Sequence, residues 1–80
     1  MPERRIPAMS SAEFVKLLRK GGARFIRQRR TSHAIYERVV GSRTFRVPVV
    51  MGKRDLTPKY IKLVFHQLGF TNAEIDQLLQ

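Results

Sequence analysis

The chain contains no cysteine and no tryptophan, and it has few acidic residues. Without cysteine it can form neither a disulfide nor a thiolate metal site, which is typical of proteins from a reducing compartment. No apolar run approaches the length that spans a bilayer, and the opening residues MPERRIPAMSS lack the apolar centre of a secretory signal. The sequence therefore predicts one small cytoplasmic domain of 80 residues with no membrane partner.

The shortage of acidic residues leaves a large positive charge. Sixteen Lys and Arg residues stand against six Asp and Glu residues, a net charge of +10, and eleven of the sixteen are Arg. Arginine binds phosphate through a planar fork, whereas lysine acts as a point charge. Such a surface attracts a polyanion, of which nucleic acid is the simplest. An anionic membrane is a weaker alternative, because its ligands usually concentrate their basic residues on one amphipathic helix.

Helix signals stand at both ends of the chain. SSAEFVKLLRKGG predicts a first helix, with a capping box from Ser10 and Glu13 and a stop at the two glycines. LTPKYIKLVFHQLG predicts a second helix, with Thr57 as the N-cap and proline at the first helical position. TNAEIDQLLQ repeats the capping box and predicts a short third helix.

Three strands are predicted between the helices, in ARFIRQRR, HAIYERVV and RTFRVPVV. The first alternates imperfectly, so its periodicity does not show which arginines face solvent. The third alternates cleanly, with Phe45, Val47 and Val49 on one face. Pro48 cannot donate to a strand ladder, so this strand ends there or lies at an edge of the sheet.

Consecutive strands with short connections predict an antiparallel meander, and two helices with one apolar stripe each must cover the same face of it. The predicted fold is α+β: a two-layer α-β-β-β-α arrangement with a three-stranded antiparallel sheet and a short C-terminal helix. It forms a single domain over residues 1–80, in which residues 1–9 are a loose arm. The other face of the sheet is left for solvent or a ligand. The residues expected in the core are Phe14, Leu17, Phe25, Ile61, Val64, Phe65 and Leu68.

The segments EFVKLLRKGGARFIRQRRTSHAIYE, RTFRVPVV and DLTPKYIKLVFHQLGFTNAEI resemble, in this order, the HicA (YcfA-like) family of mRNA interferase toxins. The resemblance covers about residues 11–80. It implies the fold of a double-stranded RNA-binding domain, the activity of a ribosome-independent endoribonuclease, and a HicB-like antitoxin as partner. It also makes His33 the catalytic residue. The chain departs from the family pattern at Thr31, where the family has glycine, and at residues 49–51, where many members have a histidine.

RNA can be cut without a metal because its 2′-OH is a built-in nucleophile. Cleavage then needs a group that moves a proton near neutral pH and cations that stabilise the charge on phosphorus. Histidine fits the first need, which favours His33. No cluster of His, Cys, Asp and Glu has the spacing of metal ligands, so no cofactor is expected. The residues predicted to bind RNA phosphates are Arg27, Arg29, Arg30, Ser32, Lys53 and Arg54.

The residues alone leave other interpretations open. A single strand histidine is more often structural or simply exposed, and Ser32 could do no more than turn the chain. Tyr36 is interpreted as a half-buried strand aromatic rather than a base-stacking residue, and His66 as a surface residue. Two other functions therefore stay open. One is a non-catalytic RNA-binding module of the same fold, and the other is an interaction protein whose basic face docks an acidic partner.

Overall fold

The computed structural model describes residues 5–28 and 32–80. Its strands form one antiparallel sheet in the order β1-β2-β3. The predicted α+β fold is therefore confirmed, and Pro48 lies inside an edge strand, which is one of the two placements expected for it. The elements in chain order are α1 (Ser11–Lys20), β1 (Arg24–Gln28), β2 (His33–Val40), β3 (Arg43–Val50), α2 (Pro58–Gln67) and α3 (Asn72–Leu78).

The helix boundaries follow from local hydrogen bonds. Ser10 Oγ accepts from the Glu13 N–H at 3.2 Å, and the Glu13 carboxylate accepts from the Ser10 N–H at 3.0 Å. Thr71 begins α3 with the same capping box, and Thr57 caps α2. Gly22 follows α1 with a φ of +97°, a conformation that suits glycine because it has no Cβ. Each cap satisfies backbone groups that the helix itself leaves open.

Helices α1 and α2 cover the same face of the sheet. Phe14 on α1 and Phe65 on α2 meet edge to face, with ring centroids 5.2 Å apart. Both lie in one buried cluster with side chains from β2 and β3. The fully or almost fully buried members of this cluster are Phe14, Leu18, Ala34, Tyr36, Val49, Ile61, Val64, Phe65 and Leu68.

Two aromatic residues of the sheet differ in burial. Phe25 was expected in the core, but this prediction is wrong, because Phe25 is 43% exposed. It lies on the edge strand β1 and contacts the ring of Tyr36, with centroids 5.9 Å apart. Tyr36 on the central strand is only 2% exposed, more deeply buried than expected, and so cannot offer its ring to a base.

Residues 5–9, the described part of the expected arm, contact the domain. Met9 and Leu56 form an isolated antiparallel bridge, in which the Leu56 N–H donates to the Met9 carbonyl at 2.7 Å. Ile6 and Met9 also pack against the buried cluster. This end of the arm is therefore held beside the start of α2.

The other face of the sheet is not covered by any helix of the described chain, and we call it the open face. A β-bulge at Ile26 changes which residues of β1 belong to it. Arg24 pairs with Glu37, and after the bulge Arg27 pairs with Ile35. Because a bulge adds one residue to the strand, both arginines lie on the same face. By the strand register, the open face carries Arg24, Arg27, His33, Ile35, Glu37, Val39, Thr44, Arg46, Pro48 and Val50.

Within the described residues, none of the helices is long and apolar enough to cross a membrane.

Candidate functional site

His33 lies at one end of the open face. It is the first residue of β2 and pairs with Val50, the last residue of β3. The preceding residue, Ser32, accepts a hydrogen bond at its carbonyl from the Met51 N–H at 2.6 Å. His33 is half-buried and Ser32 is exposed. The chain entering β2 is therefore tied to the chain leaving β3, and this tie fixes the backbone of His33.

The loop after β3 is attached to the same end of the sheet through Ser11. Ser11 Oγ donates to the Val50 carbonyl at 2.8 Å and accepts from the Lys53 N–H at 3.2 Å. The Ser11 N–H donates to the Lys53 carbonyl at 2.9 Å. The side chains of Lys53 and Arg54 are exposed. The loop that carries these two cations therefore leaves the sheet at the end where His33 lies.

The phenol of Tyr60, which sequence reasoning missed, lines a depression beside His33. His33, Val50 and Tyr60 are among its lining residues. Tyr60 Oη accepts from the Val50 N–H at 3.0 Å. Because this N–H lies on the outer edge of β3, Tyr60 reaches the edge of the sheet directly opposite His33. Because the oxygen accepts this hydrogen bond, the O–H proton of Tyr60 is directed away from the Val50 N–H.

Arg27 is the predicted phosphate-binding residue that the structure places on the open face. It is exposed, it pairs with Ile35, and it lines a shallow depression with Ile35, Arg46 and Pro48. Ile35 stands two positions from His33 on β2, so Arg27 lies beside the histidine end of the face. Arg29 and Arg30, which were predicted together with Arg27, lie outside the described residues, as does Thr31.

Farther along the open face lies a group of charges that the sequence did not reveal. The Glu37 side chain is only 4% exposed, although it carries a carboxylate. Arg24 donates to its Oε1 from Nε at 3.0 Å and from Nη2 at 2.8 Å, and Arg46 donates to its Oε2 from Nε at 2.7 Å. The hydrogen bond from Arg46 and then those from Arg24 hold the pKa of Glu37 below its ordinary value of 4.5, against the opposing effect of burial.

Not every strand arginine is available to a ligand. Arg38 is the next residue after Glu37 and faces the helices, where its side chain is 8% exposed. It donates to the Gly21 and Leu68 carbonyls at 3.1 and 3.2 Å and to Glu74 Oε2 at 2.7 Å. All of these partners belong to the domain itself, so Arg38 is structural.

The two histidines have different surroundings. His66 lies exposed on α2, as expected, and its Nδ1 is 3.1 Å from the Phe70 carbonyl. It does not line the depression that contains His33. The described residues also contain no group of three or more His, Cys, Asp or Glu side chains that could hold a metal ion. Among the described residues, His33 is therefore the only histidine on the open face.

The sequence was compared with known proteins. A family model described as the HicA toxin of bacterial toxin-antitoxin matches residues 11–70, which are 60 of the 80 residues. The corresponding comparisons with curated proteins and with solved structures give no match.

Proposed function

The chain belongs to the HicA toxin family, and we propose that it is a metal-independent endoribonuclease, an mRNA interferase, with His33 as its catalytic residue. The observation that carries the proposal is the position of His33 on the open face. Backbone pairing fixes His33 there, Arg27 lies on the same face opposite Ile35, and the loop that carries Lys53 and Arg54 leaves the sheet at the same end. These residues would meet the two needs of RNA cleavage, proton transfer and charge stabilisation.

The reaction would follow from the chemistry of the substrate. The 2′-oxygen attacks the adjacent phosphorus, a base takes the 2′-proton, and the bond from phosphorus to the 5′-oxygen breaks. An acid gives a proton to that 5′-oxygen, so the products are a 2′,3′-cyclic phosphate and a 5′-hydroxyl. Guanidinium and ammonium groups stabilise the negative charge that develops on the phosphoryl oxygens. Histidine can take either proton-transfer role near neutral pH.

The other proton-transfer role would fall to Tyr60. Among the described residues that line the depression with His33, it is the other side chain of a type that serves as a general acid. Its oxygen is already held by the Val50 N–H. The phenol would donate its proton to the leaving oxygen while His33 acts as the base. Arg27, Ser32, Lys53 and Arg54 would bind phosphates, and Arg29 and Arg30 stay in the same proposal.

The test is cleavage of a long single-stranded RNA in EDTA, with wild type beside His33→Ala. We expect wild type to cut the RNA and His33→Ala to lose the activity while circular dichroism shows an intact fold. His66→Ala is the matched control, because it removes the other histidine from an exposed helix position, and it should cut at the wild-type rate. Equal cleavage by His33→Ala and wild type would overturn the proposal.

A non-catalytic RNA-binding module is the second candidate. The observation in its favour is that the residue opposite His33 is Val50, so no second imidazole stands across the strand pair. RNA binding by wild type without any cleavage would support it. In either case, toxins of this family belong to toxin-antitoxin systems. A HicB-like antitoxin that covers the open face would silence the protein.

A further inference from the structure

The buried carboxylate of Glu37 and its two arginines form a preorganised group of charges, which we call the arginine clamp (Arg24, Glu37 and Arg46). Each arginine donates a hydrogen bond from its Nε–H to the carboxylate. Arg24 also donates to Glu37 from Nη2, and these bonds do not use the other three terminal amino groups of the two arginines. The arginine side chains are 72% and 64% exposed, whereas Glu37 is 4% exposed. The clamp thus presents two oriented guanidinium groups to solvent and hides the one negative charge beneath them.

This geometry suits a phosphate group. A free arginine loses side-chain entropy when it binds an anion, but an arginine already held by a carboxylate has lost part of that entropy in advance. The remaining N–H donors of two neighbouring guanidinium groups can bind a phosphate through several charge-assisted hydrogen bonds. The clamp carries one net positive charge, so its advantage lies in orientation more than in total charge.

The clamp lies on the same face as His33, and its Arg46 also lines the depression beside His33. Glu37 follows His33 by four residues along β2, which corresponds to about 13 Å. Arg27 and Pro48 lie between them, on either side of Ile35. A single strand that is cut at His33 and continues across the open face would therefore pass Arg27 and arrive at the clamp.

We propose that the arginine clamp is a second phosphate-binding site, which holds the RNA backbone of the substrate beyond the phosphate that is cut. The proposal rests on the proposed ribonuclease function for the identity of the ligand. Glu37 is a positioning residue in it, since it acts through the two arginines. An RNA long enough to span the open face would then bind more tightly than one that occupies only the His33 end.

The first test is the affinity for a 20-nucleotide single-stranded RNA, measured by fluorescence anisotropy at several salt concentrations. All variants carry His33→Ala, so no RNA is cut and the result does not depend on cleavage. We expect Arg46→Ala to weaken binding about tenfold, the loss of one charge-assisted contact. The slope of log affinity against log salt should become shallower by about 0.7.

Arg43→Ala is the matched control. Arg43 lies on β3 like Arg46, it is exposed, and its loss removes the same charge, but it faces the helix side and lies over the Phe45 ring at 5.7 Å. It should change the affinity less than twofold. An equal loss of affinity in both variants would mean that RNA binding depends only on the net charge. No loss of affinity in Arg46→Ala would mean that the clamp only stabilises the sheet. Either result would overturn the proposal.

Glu37→Gln tests the positioning role, because charge and position predict opposite results. The substitution raises the net charge by one, so charge alone predicts tighter RNA binding. Loss of the carboxylate that orients both arginines predicts weaker binding, by about threefold. Arg46→Lys is the companion variant, because it keeps the charge at an exposed position and removes the fork. It should also weaken binding, and tighter binding by Glu37→Gln or unchanged binding by Arg46→Lys would overturn the positioning role.

Cleavage separates this inference from the proposed function. If wild type cuts RNA, Arg46→Ala should raise KM for a long substrate and leave kcat unchanged, because the clamp would bind the backbone beyond the phosphate that is cut. If wild type does not cut, the affinity measurements still decide whether the clamp binds the backbone. A selective loss of kcat in Arg46→Ala would contradict a purely binding role.

Discussion

The hydroxyl of Tyr60 determines whether the proposed site has a second proton-transfer group beside His33. Tyr60 lies on α2, and its oxygen accepts a hydrogen bond from the Val50 N–H at the outer edge of β3. Val50 faces His33 across the strand pair. An edge N–H in water would find a partner in any case, so this hydrogen bond adds little to stability. Its consequence is positional, since it places a phenol beside the depression that His33 lines.

Tyr60→Phe should lower kcat by about 100-fold and leave KM almost unchanged, because a general acid acts only in the transition state. The ring still packs, so the melting temperature should change little. The measurement is kcat and KM of both proteins on one RNA. An unchanged kcat would assign the acid to water or to another group.

Local signals in the sequence single out individual residues of the site. The family resemblance and the residue type point to His33, and residue type points to Lys53 and Arg54. In the structure the loop that carries these two cations leaves the sheet at the end where His33 lies. Their roles stay predictions. Arg46 was missed because its role depends on the strand register, which sets it against Glu37. Tyr60 was missed because its role depends on how α2 packs against the edge of β3, where its hydroxyl meets the Val50 N–H. Neither contact leaves a mark in the sequence around the residue.

At the scale of secondary structure elements, Arg38 is the point where the helices meet the sheet. From the central strand it donates to the Gly21 carbonyl at the end of α1, to the Leu68 carbonyl at the end of α2, and to Glu74 in the first turn of α3. Its guanidinium also lies over the Phe70 ring, 3.8 Å from the centroid. One buried side chain therefore satisfies two helix ends and fixes the position of the third helix.

Arg38→Ala should lower the free energy of unfolding by about 2–4 kcal/mol, because it leaves buried carbonyls without donors and opens a space beside Phe70. Glu74 contributes little to this loss, since it is 43% exposed and water can solvate it. Urea denaturation at neutral pH measures the difference. Arg43→Ala, which removes an exposed arginine from the same sheet, should cost much less. Equal costs for the two variants would mean that Arg38 is replaceable by water.

The elements themselves were more predictable than their pairing. Helix caps and glycine stops act within a few residues, so the capping boxes at Ser10 and Thr71 appear in the structure as expected. The alternation of β3 also gave its buried face correctly. The faces of β1 were not predictable, because the bulge at Ile26 reverses the alternation for Arg27. A bulge depends on the partner strand, and the sequence of one strand does not show it.

At the scale of the whole molecule, the glutamates of the described chain make their hydrogen bonds within the domain. Glu13 and Glu74 cap helices, and Glu37 is held by two arginines. These three are all the glutamates in the described part of the chain. The open face consequently keeps its positive charge, although a carboxylate lies in its centre. In the proposed function, the net charge of +10 would attract RNA over a distance, and the arginine clamp would orient the bound backbone.

This use of the glutamates makes stability depend on pH in one direction. Hydrogen bonds to charged carboxylates lower all three pKa values below the ordinary 4.5: from the Ser10 N–H for Glu13, from Arg46 and Arg24 for Glu37, and from the Thr71 N–H and Arg38 for Glu74. The folded state then binds fewer protons than the unfolded state. This stabilisation is fully present above the unfolded pKa and is lost as pH falls through the folded pKa values.

We therefore expect the free energy of unfolding to be nearly constant from pH 7 down to about pH 5 and to fall steadily below that. Urea denaturation at a series of pH values measures the curve. Glu37→Gln should be less stable than wild type at neutral pH and should approach it in acid, because wild-type Glu37 is then protonated and equally neutral. If the two curves stay parallel down to pH 3, the acid sensitivity arises from the other carboxylates, and the clamp adds no charge-dependent stability.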